Sequence, residues 1–420
     1  MLMAIGLLIV CITVYLLIKQ YETRMVLFAS GLLMAIVAMK PLVAFDAFSA
    51  SIKNANMIEP IVAAMGFAVV LKVTGCDQHL IHLLANGLKK VGPAIVPGAV
   101  LATALVNTSI TSAAGCAAAV GSILIPVLIG TGVHPATAAA AVFAGTYGSP
   151  MLNPGFGQIA IISEVTKSTP MAVIGNHAKV VAVLAIVAAL SIFVTSIFLK
   201  EHKGYQAEQS TELNKFKVDY IRALVPMIPL VLLLLGSTGT VLAFKKLAIS
   251  HAMIIGVFAA LFVTGMKPTD VSKAFFQGFG DGFSQVFGII TTALVFVSGM
   301  QALGLVKALI DHMIANPALA KISATVGPFL LAVICGSGEA ASIAFNKAVT
   351  VYAARLGLNA LDLGSLAAIS GALGRTMSPI AGAAIICAGF AKVNPLELAK
   401  RNALGMVLGA LVTMIMLMYS

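Results

Sequence analysis

Residues 93–130 read PAIVPGAVLATALVNTSITSAAGCAAAVGSILIPVLIG. The 14 residues from Pro93 to Val106 are apolar, and as a helix they reach about 21 Å, short of the roughly 30 Å of hydrocarbon in a bilayer. The next stretch, NTSITSAAG, is small and polar. The chain is therefore expected to turn back there, as a re-entrant hairpin over about 93–130 with its tip near mid-membrane. The second half repeats the device: Ser323–Cys335 is again short, GSGEAAS follows, and a second hairpin is expected over about 323–356.

Such hairpins need a bilayer around them, and the composition agrees. Of 420 residues, 60% are hydrophobic and 10% charged, with mean hydropathy +1.04; soluble domains carry about 25% charged residues. Apolar runs recur from end to end (Leu2–Ile18, Met25–Met39, Val180–Leu199, Leu224–Val241, Leu404–Met418), so the fold class is an all-α polytopic membrane protein. The net charge of +11 sits mostly in short loops as topology signals do, and nucleic acid is set aside as a partner. Cys11, Cys76, Cys116, Cys335 and Cys387 show no CxxC spacing and indicate neither disulfides nor zinc. Residues 1–18 lack a cleavage site and read as a retained span. With no G-x4-GK[ST] motif and no long polar domain, transport work would be gradient-driven.

The polar stretch Lys200–Asp219 divides the chain into a first repeat (1–203), a linker (204–217) and a second repeat (218–420). AMKP at Ala38–Pro41 returns as GMKP at Gly265–Pro268. Phe45 and Phe48 return as Phe276 and Phe279, Gly75 as Gly304, and Gly145 and Gly148 as Gly371 and Gly374. Four matches in one order at nearly one offset indicate duplication. Each half is expected to have about five crossings (1–18, 25–43, 58–75, a broken span near 136–162, and 178–199 in the first) plus its hairpin. An odd count inverts the second half. A cytoplasmic linker places 15 of the 26 lysines and arginines inside.

After each hairpin comes a span broken by its own residues. GTYGSPMLNPGFG (145–157) and GALGRTMSPIAG (371–382) are too rich in glycine and proline for a continuous helix, which gives broken helices over about 136–162 and 361–390. Tips and breaks at matching places in an inverted repeat suit a midplane substrate site. The candidate binding residues are Asn107, Thr108, Ser109, Thr111 and Ser112 at the first tip, with Ser149 and Asn153 at the first break. At the second tip they are Ser337, Gly338, Glu339 and Ser342, and at the second break Arg375, Thr376, Ser378 and Pro379. Short hydroxyls and amides suit a carboxylate or a sodium ion. A permanently charged fork inside an apolar span calls for an anion, and Arg375 is read as clamping a substrate carboxylate.

Other readings remain open. Arg375 could pair with Glu339 as a structural ion pair, and tip glycines could serve helix packing. Cys76, His79 and His82 share helical spacing, but no fourth ligand is evident, and no metal is assigned. His134 reads as a hairpin-exit residue, and Lys347 and Arg355 as snorkelling cations on the outer arm of the second hairpin. No HExxH or complete GxSxG pattern indicates an enzyme.

Leu373–Arg401, LGRTMSPIAGAAIICAGFAKVNPLELAKR, resembles the corresponding stretch of the DcuC family of anaerobic C4-dicarboxylate transporters, in the ion transporter superfamily. GSGEAASIAF resembles that family's GSG hairpin, and TSAAG and GSPMLNP are looser matches. The resemblance implies a homodimer in the bacterial inner membrane, each protomer with a scaffold (roughly 1–60 and 218–290) and an elevator-type transport domain. It implies succinate, fumarate and malate as substrates, by uptake, exchange or efflux, with sodium or protons as possible coupling ions and no cofactor. It carries Ser337, Gly338, Arg375, Thr376, Ser378 and Pro379 onto the second hairpin and break. One position departs: the family has Asn after GSG, where this chain has Glu339. The alternatives are a carrier of another organic anion on the same scaffold, or a cation/proton antiporter exchanging at Glu339.

Overall fold

A computed structural model of the chain describes residues 2–19, 21–53, 55–88, 94–205, 216–237, 247–315 and 317–419. Pro93 and most of the expected linker, 206–215, lie outside the described residues. Among the described residues the protein is helical, with no strand.

The two halves present the same order of elements. The first has α1 (Leu2–Ile18), α2 (Thr23–Val37), α3 (Leu42–Ile52), α4 (Ala55–Thr74), α5 (Cys76–Leu88), α6 (Ile95–Ser109), α7 (Ala113–Gly130), α8 (Pro135–Ala144), α9 (Gly157–Thr166) and α10 (Pro170–Phe198). The second has α11 (Tyr220–Leu224) and α12 (Ile228–Ser237), joined by a 3-10 turn, then α13 (Ile249–Thr264), α14 (Pro268–Asp281), α15 (Gly288–Ala302), α16 (Leu305–Ala315), α17 (Pro317–Cys335) and α18 (Gly338–Ala348). It ends with α19 (Ala360–Arg375), α20 (Gly382–Ala391) and α21 (Pro395–Met418). A π-helical segment, Gly282–Phe287, joins α14 to α15.

Starts and stops follow local chemistry. Proline at the first helical position needs no N–H there, and capped Pro starts open α8 after His134, α10 after Thr169 and α21 after Asn394. His134 is thus the exit residue of the first hairpin, its ring nitrogen accepting from Ala136 N at 3.3 Å. Gly75 (φ +70) and Gly304 (φ +77) occupy the left-handed region after α4 and α15. The axis bends 71° between α4 and α5.

Among the described residues, four helical stretches can cross a membrane by length and apolarity: α7, α10, Pro268–Ala302 and α21, or five if the bent α4–α5 pair is one span. The apolar helices α1, α2, α12 and α13 are shorter. α7 was expected only as a hairpin arm, yet its 18 residues suffice by these criteria. A second difference concerns the ascending arm of the second hairpin, which begins at Pro317 and not near Ser323. Pro317 suits an N1 position, and PALAKIS contains strong helix formers, so the helix gains more than a turn.

The helices sort into two packed groups. In one, α15 packs on α2 and α3, and in the mirrored arrangement α4 packs on α13 and α14. In the other, α17 packs on α19, α7 on α20, α9 on α18, and α10 on α21. The largest core cluster belongs to the second group, with Phe143, Tyr147, Met151, Leu124 and Leu128 fully or nearly fully buried. The first group is thus wider than the expected 1–60 and 218–290, since α4 and α15 belong to it.

Polar contacts mark the two ends of α10, whose 29 residues extend about 43 Å. At its carboxyl end Glu201 meets Arg401 of α21 at 2.6 and 2.9 Å, and Thr137 of α8 donates to the same carboxylate. Toward the other end Asn176 donates to Asp362 of α19 at 2.9 Å, and Lys347 of α18 pairs with Glu164 of α9. The first broken helix, α8 to α9, and the second, α19 to α20, therefore run in opposite directions.

Candidate functional site

Each hairpin turns where a serine caps the returning helix. In the first, Asn107 closes the end of α6 by donating to the Ile110 carbonyl at 2.8 Å, and Ser112 Oγ accepts from Gly115 N at 3.2 Å. In the second, Gly336 takes φ +73, and Ser337 Oγ accepts from Ala340 N at 3.4 Å. The breaks are equally local. Gly148 (φ +150) and a 3-10 turn, Ser149–Leu152, separate α8 from α9, and Thr376–Ala381 separates α19 from α20.

These four interruptions surround one cavity of about 180 Å³. Its wall includes the first residues of four helices: Ala113 and Ala114 of α7, Gln158 of α9, Gly338 and Glu339 of α18, and Gly382 and Ala383 of α20. Each helix amino terminus presents unpaired N–H groups and a partial positive charge of about +0.5. Four of them around one space make it favourable for anions. Arg375 adds a full charge at the carboxyl end of α19. Its Nη1 donates to Thr146 Oγ1 at 3.3 Å and its Nη2 to the Thr146 carbonyl, so the guanidinium is held across the two breaks. Among the described residues, three of its five N–H groups are left over.

A second cavity of about 180 Å³ lies alongside, between the hairpin tips and the first helix group, walled by Ile61, Met65, Val286 and Ile289. Thr111, Ala113, Phe156 and Glu339 border both spaces.

Of the expected residues, Thr111, Ser337, Gly338, Glu339 and Arg375 line the first cavity, and Thr111, Ser112 and Glu339 line the second. The others stand behind the wall. Asn153 donates to the Thr108 carbonyl at 2.8 Å and accepts from Gly155 N at 2.9 Å, while Ser149 Oγ donates to Asn107 Oδ1 at 3.3 Å. Ser342 joins the wall residue Gln158. Thr376 Oγ1 donates to Ala372 O at 2.8 Å, and Thr376, Ser378 and Pro379 are absent from the wall. Ser109, still in the last turn of α6, turns away and donates to the Pro226 carbonyl at 3.2 Å.

No ion pair joins Arg375 to Glu339 among the described residues, although both face the same cavity. Glycine packing at the second tip is real: a Cβ on Gly338 would stand 2.4 Å from the Gly371 carbonyl oxygen. Lys347 does not snorkel, since it is 7% exposed and paired with Glu164. Arg355 is exposed, 3.6 Å from Asp311. His79 accepts from Asp219 N at 3.0 Å, and His82 stacks on Phe216 at 4.1 Å. No three of His, Cys, Asp or Glu gather at metal-ligand spacing among the described residues.

Sequence reasoning missed Gln158 and Thr146. Gln158 is the lone amide of an apolar run, GQIAII, which was the available signal. Thr146 acts largely through its backbone carbonyl, which carries no sequence signal.

Comparison with known proteins agrees with the resemblance read from Leu373–Arg401. Residues 1–420 match the family model of DcuC, described as C4-dicarboxylate anaerobic carrier. The anaerobic C4-dicarboxylate transporter DcuC of Escherichia coli K12 is 23% identical, the match covering 95% of this chain and 92% of the relative. An uncharacterized transporter of Haemophilus influenzae is 39% identical over 62% of this chain and 98% of its own length. Among solved structures, Neisseria gonorrhoeae MtrF, of a class of antimetabolite efflux pumps, superposes with TM-score 0.64 at 12% identity over 89% of this chain and 82% of that one, a likeness of fold alone. With the whole chain matched and its helices apolar enough to span a bilayer, this multi-pass membrane transporter, not an enzyme, belongs to the DcuC family.

Proposed function

We propose that the protein is a secondary carrier of small C4-dicarboxylates such as succinate, fumarate and malate in the bacterial inner membrane, working by alternating access. The observation that carries this reading is the cavity into which four helix amino termini and Arg375 converge. One carboxylate lies on the free N–H groups of the Arg375 fork, as a bidentate pair. The other meets the tip amides and the Ser337 and Thr111 hydroxyls. The opposite run of the two broken helices and the repeated order of elements support an inverted repeat, 1–203 against 218–420, with a cytoplasmic linker. The two packed helix groups suit a scaffold and a moving elevator domain, and the protein works as a homodimer in this scheme, driven by a sodium or proton gradient or by exchange.

Uptake of labelled succinate into proteoliposomes tests the reading. Arg375→Ala and Arg375→Lys are each expected to lose transport by about a hundredfold, the lysine because a point charge cannot replace a planar fork. Normal affinity in Arg375→Lys would remove the clamp. Sodium-driven alkalinisation without any organic acid would favour exchange at Glu339 instead.

A further inference from the structure

The interrupted stretch 146–151 carries two residues of the cavity wall, Gly148 and Pro150, and the Thr146 carbonyl that receives the Arg375 fork. A binding geometry is only as fixed as the groups that stand behind it, and here α10 stands behind it at two points. Tyr147 donates its hydroxyl proton to the Val181 carbonyl at 2.7 Å, and the Met151 carbonyl lies 2.9 Å from His177 Nε2. Tyr147 and Met151 flank Gly148 and Pro150, while His177 and Val181 are one turn apart on α10. The two bonds therefore staple the wall segment from both sides.

His177 also reaches the second broken helix. A carbonyl can only accept, so the ring proton sits on Nε2 toward Met151, and Nδ1 accepts from the Ser365 hydroxyl at 2.9 Å. Ser365 lies on α19, the helix that brings Ala368, Ala372 and Arg375 to the cavity. His177, Ser365 and Met151 are each 0% exposed, and none of them lines either cavity. An ionisable ring in the middle of an apolar helix is costly. Both of its bonds end on segments that shape the site.

We propose, on the basis of the carrier reading above, that His177, together with Tyr147, is a positioning residue for Arg375. The ring fixes the first break against α19, and through the Thr146 carbonyl it sets where the guanidinium points. A bidentate pair depends on direction as well as charge, so what this support protects is affinity for the anion.

The test combines labelled succinate uptake into proteoliposomes over a range of concentrations with hydrogen exchange of peptides covering 145–157 and 371–382 in the purified full chain. His177→Leu is expected to raise half-saturation about tenfold, to leave the maximal rate within about threefold, and to speed exchange in both peptides. His177→Gln keeps a donor for Met151 and an acceptor for Ser365, and is expected to stay within about threefold of the wild type. Tyr147→Phe removes one hydroxyl with little risk to folding, and a rise of about threefold is expected. In an Arg375→Lys background the same Tyr147→Phe change is expected to add less than about twofold, because the fork it positions is gone. Should His177→Leu fail to fold, Tyr147→Phe and its double variant decide the matter.

A lowered maximal rate in His177→Leu with unchanged half-saturation overturns the proposal, since the ring is then structural only. Failure of His177→Gln as severe as that of His177→Leu also overturns it, as does full additivity of Tyr147→Phe with Arg375→Lys. Wild-type protein that moves no succinate, fumarate or malate ends the carrier reading by itself. The exchange measurement still judges the staple in that case, and unchanged exchange at 145–157 in both His177→Leu and Tyr147→Phe overturns it.

Discussion

The two hairpin tips have the same architecture and opposite chemistry. Ser112 and Ser337 cap α7 and α18 in the same way, which sets Ala113 opposite Gly338 and Ala114 opposite Glu339 as the first residues of their helices. At the breaks, the Gly145/Gly148 and Gly371/Gly374 match sets Ser149 opposite Arg375. In the first half the polar groups are spent on one another: Asn153 on Thr108 and Gly155, Ser149 on Asn107. In the second half the charged groups face the cavity. The two sets of helix ends thus differ: the polar atoms of the first are taken up in bracing one another, while the charged atoms of the second are turned to the cavity.

Gly338→Ala strikes this contrast hardest. The added methyl would stand 2.4 Å from a backbone oxygen of Gly371, which has no side-chain freedom with which to give way. Loss of most succinate uptake is expected, with a stability loss of about 1–3 kcal/mol. The counterpart Ala113 already carries that methyl, so Ala113→Gly is expected to cost no more than about 1 kcal/mol, the ordinary helix penalty of glycine. Uptake rates and thermal unfolding in detergent measure both, and equal effects at the two positions would dissolve the contrast.

Asn153→Ala comes next. It strips the buried Thr108 carbonyl and the Gly155 N–H of their partner, at a cost of about 1–3 kcal/mol for each group left unsatisfied. Its neighbour in the comparison, Ser378, has a buried hydroxyl without a hydrogen-bond partner among the described residues, and Ser378→Ala is expected to stay within about 0.5 kcal/mol of the wild type. Thermal unfolding reads the difference directly, and a destabilised Ser378→Ala would mean that the second break is braced like the first.

At the seam between the halves, Glu201 ties the end of α10 to α8 and α21. Burial raises its carboxyl pKa, but hydrogen bonds from Arg401 and Thr137 and the Arg401 charge outweigh burial and hold it below the ordinary carboxylate value. A depressed folded pKa contributes stability above the unfolded value of about 4.3, and that contribution disappears as pH falls through the folded value. Glu201→Gln is therefore expected to cost about 2 kcal/mol at pH 7 and to flatten the loss of stability on acidification below about pH 4.3. Unfolding temperatures across that range check the sign, and an unchanged acid slope would assign it to other carboxylates.

The sequence made the interruptions legible because glycine, proline and short apolar arms act locally. Both breaks fall inside the expected 136–162 and 361–390, and both turns fall at the polar clusters. The extra turn of α17 was harder to see, since PALAKIS contains a lysine that reads as loop while the backbone stays helical. The site separates along the same line. Arg375, Glu339 and Ser337 stand out as polar residues in apolar spans. Whether a polar side chain faces a cavity or another side chain depends on contacts between distant segments, as between Asn153 and Thr108, and one-dimensional pattern does not contain that.

Ser109 gives the smallest expected effect and the sharpest check on that separation. By sequence it belongs with Thr111 and Ser112 at the first tip, yet in the folded protein its hydroxyl reaches the Pro226 carbonyl at 3.2 Å and takes no part in the cavity wall. Ser109→Ala removes one partly buried hydrogen bond and leaves a carbonyl acceptor behind, a cost of about 1 kcal/mol or less. Half-saturation for succinate is expected to be unchanged, whereas Ser337→Ala, which removes a hydroxyl from the wall itself, is expected to raise it several-fold. If the two serines shifted affinity equally, the tips would share the guest evenly, and the division of labour between bracing half and selecting half would have to be given up.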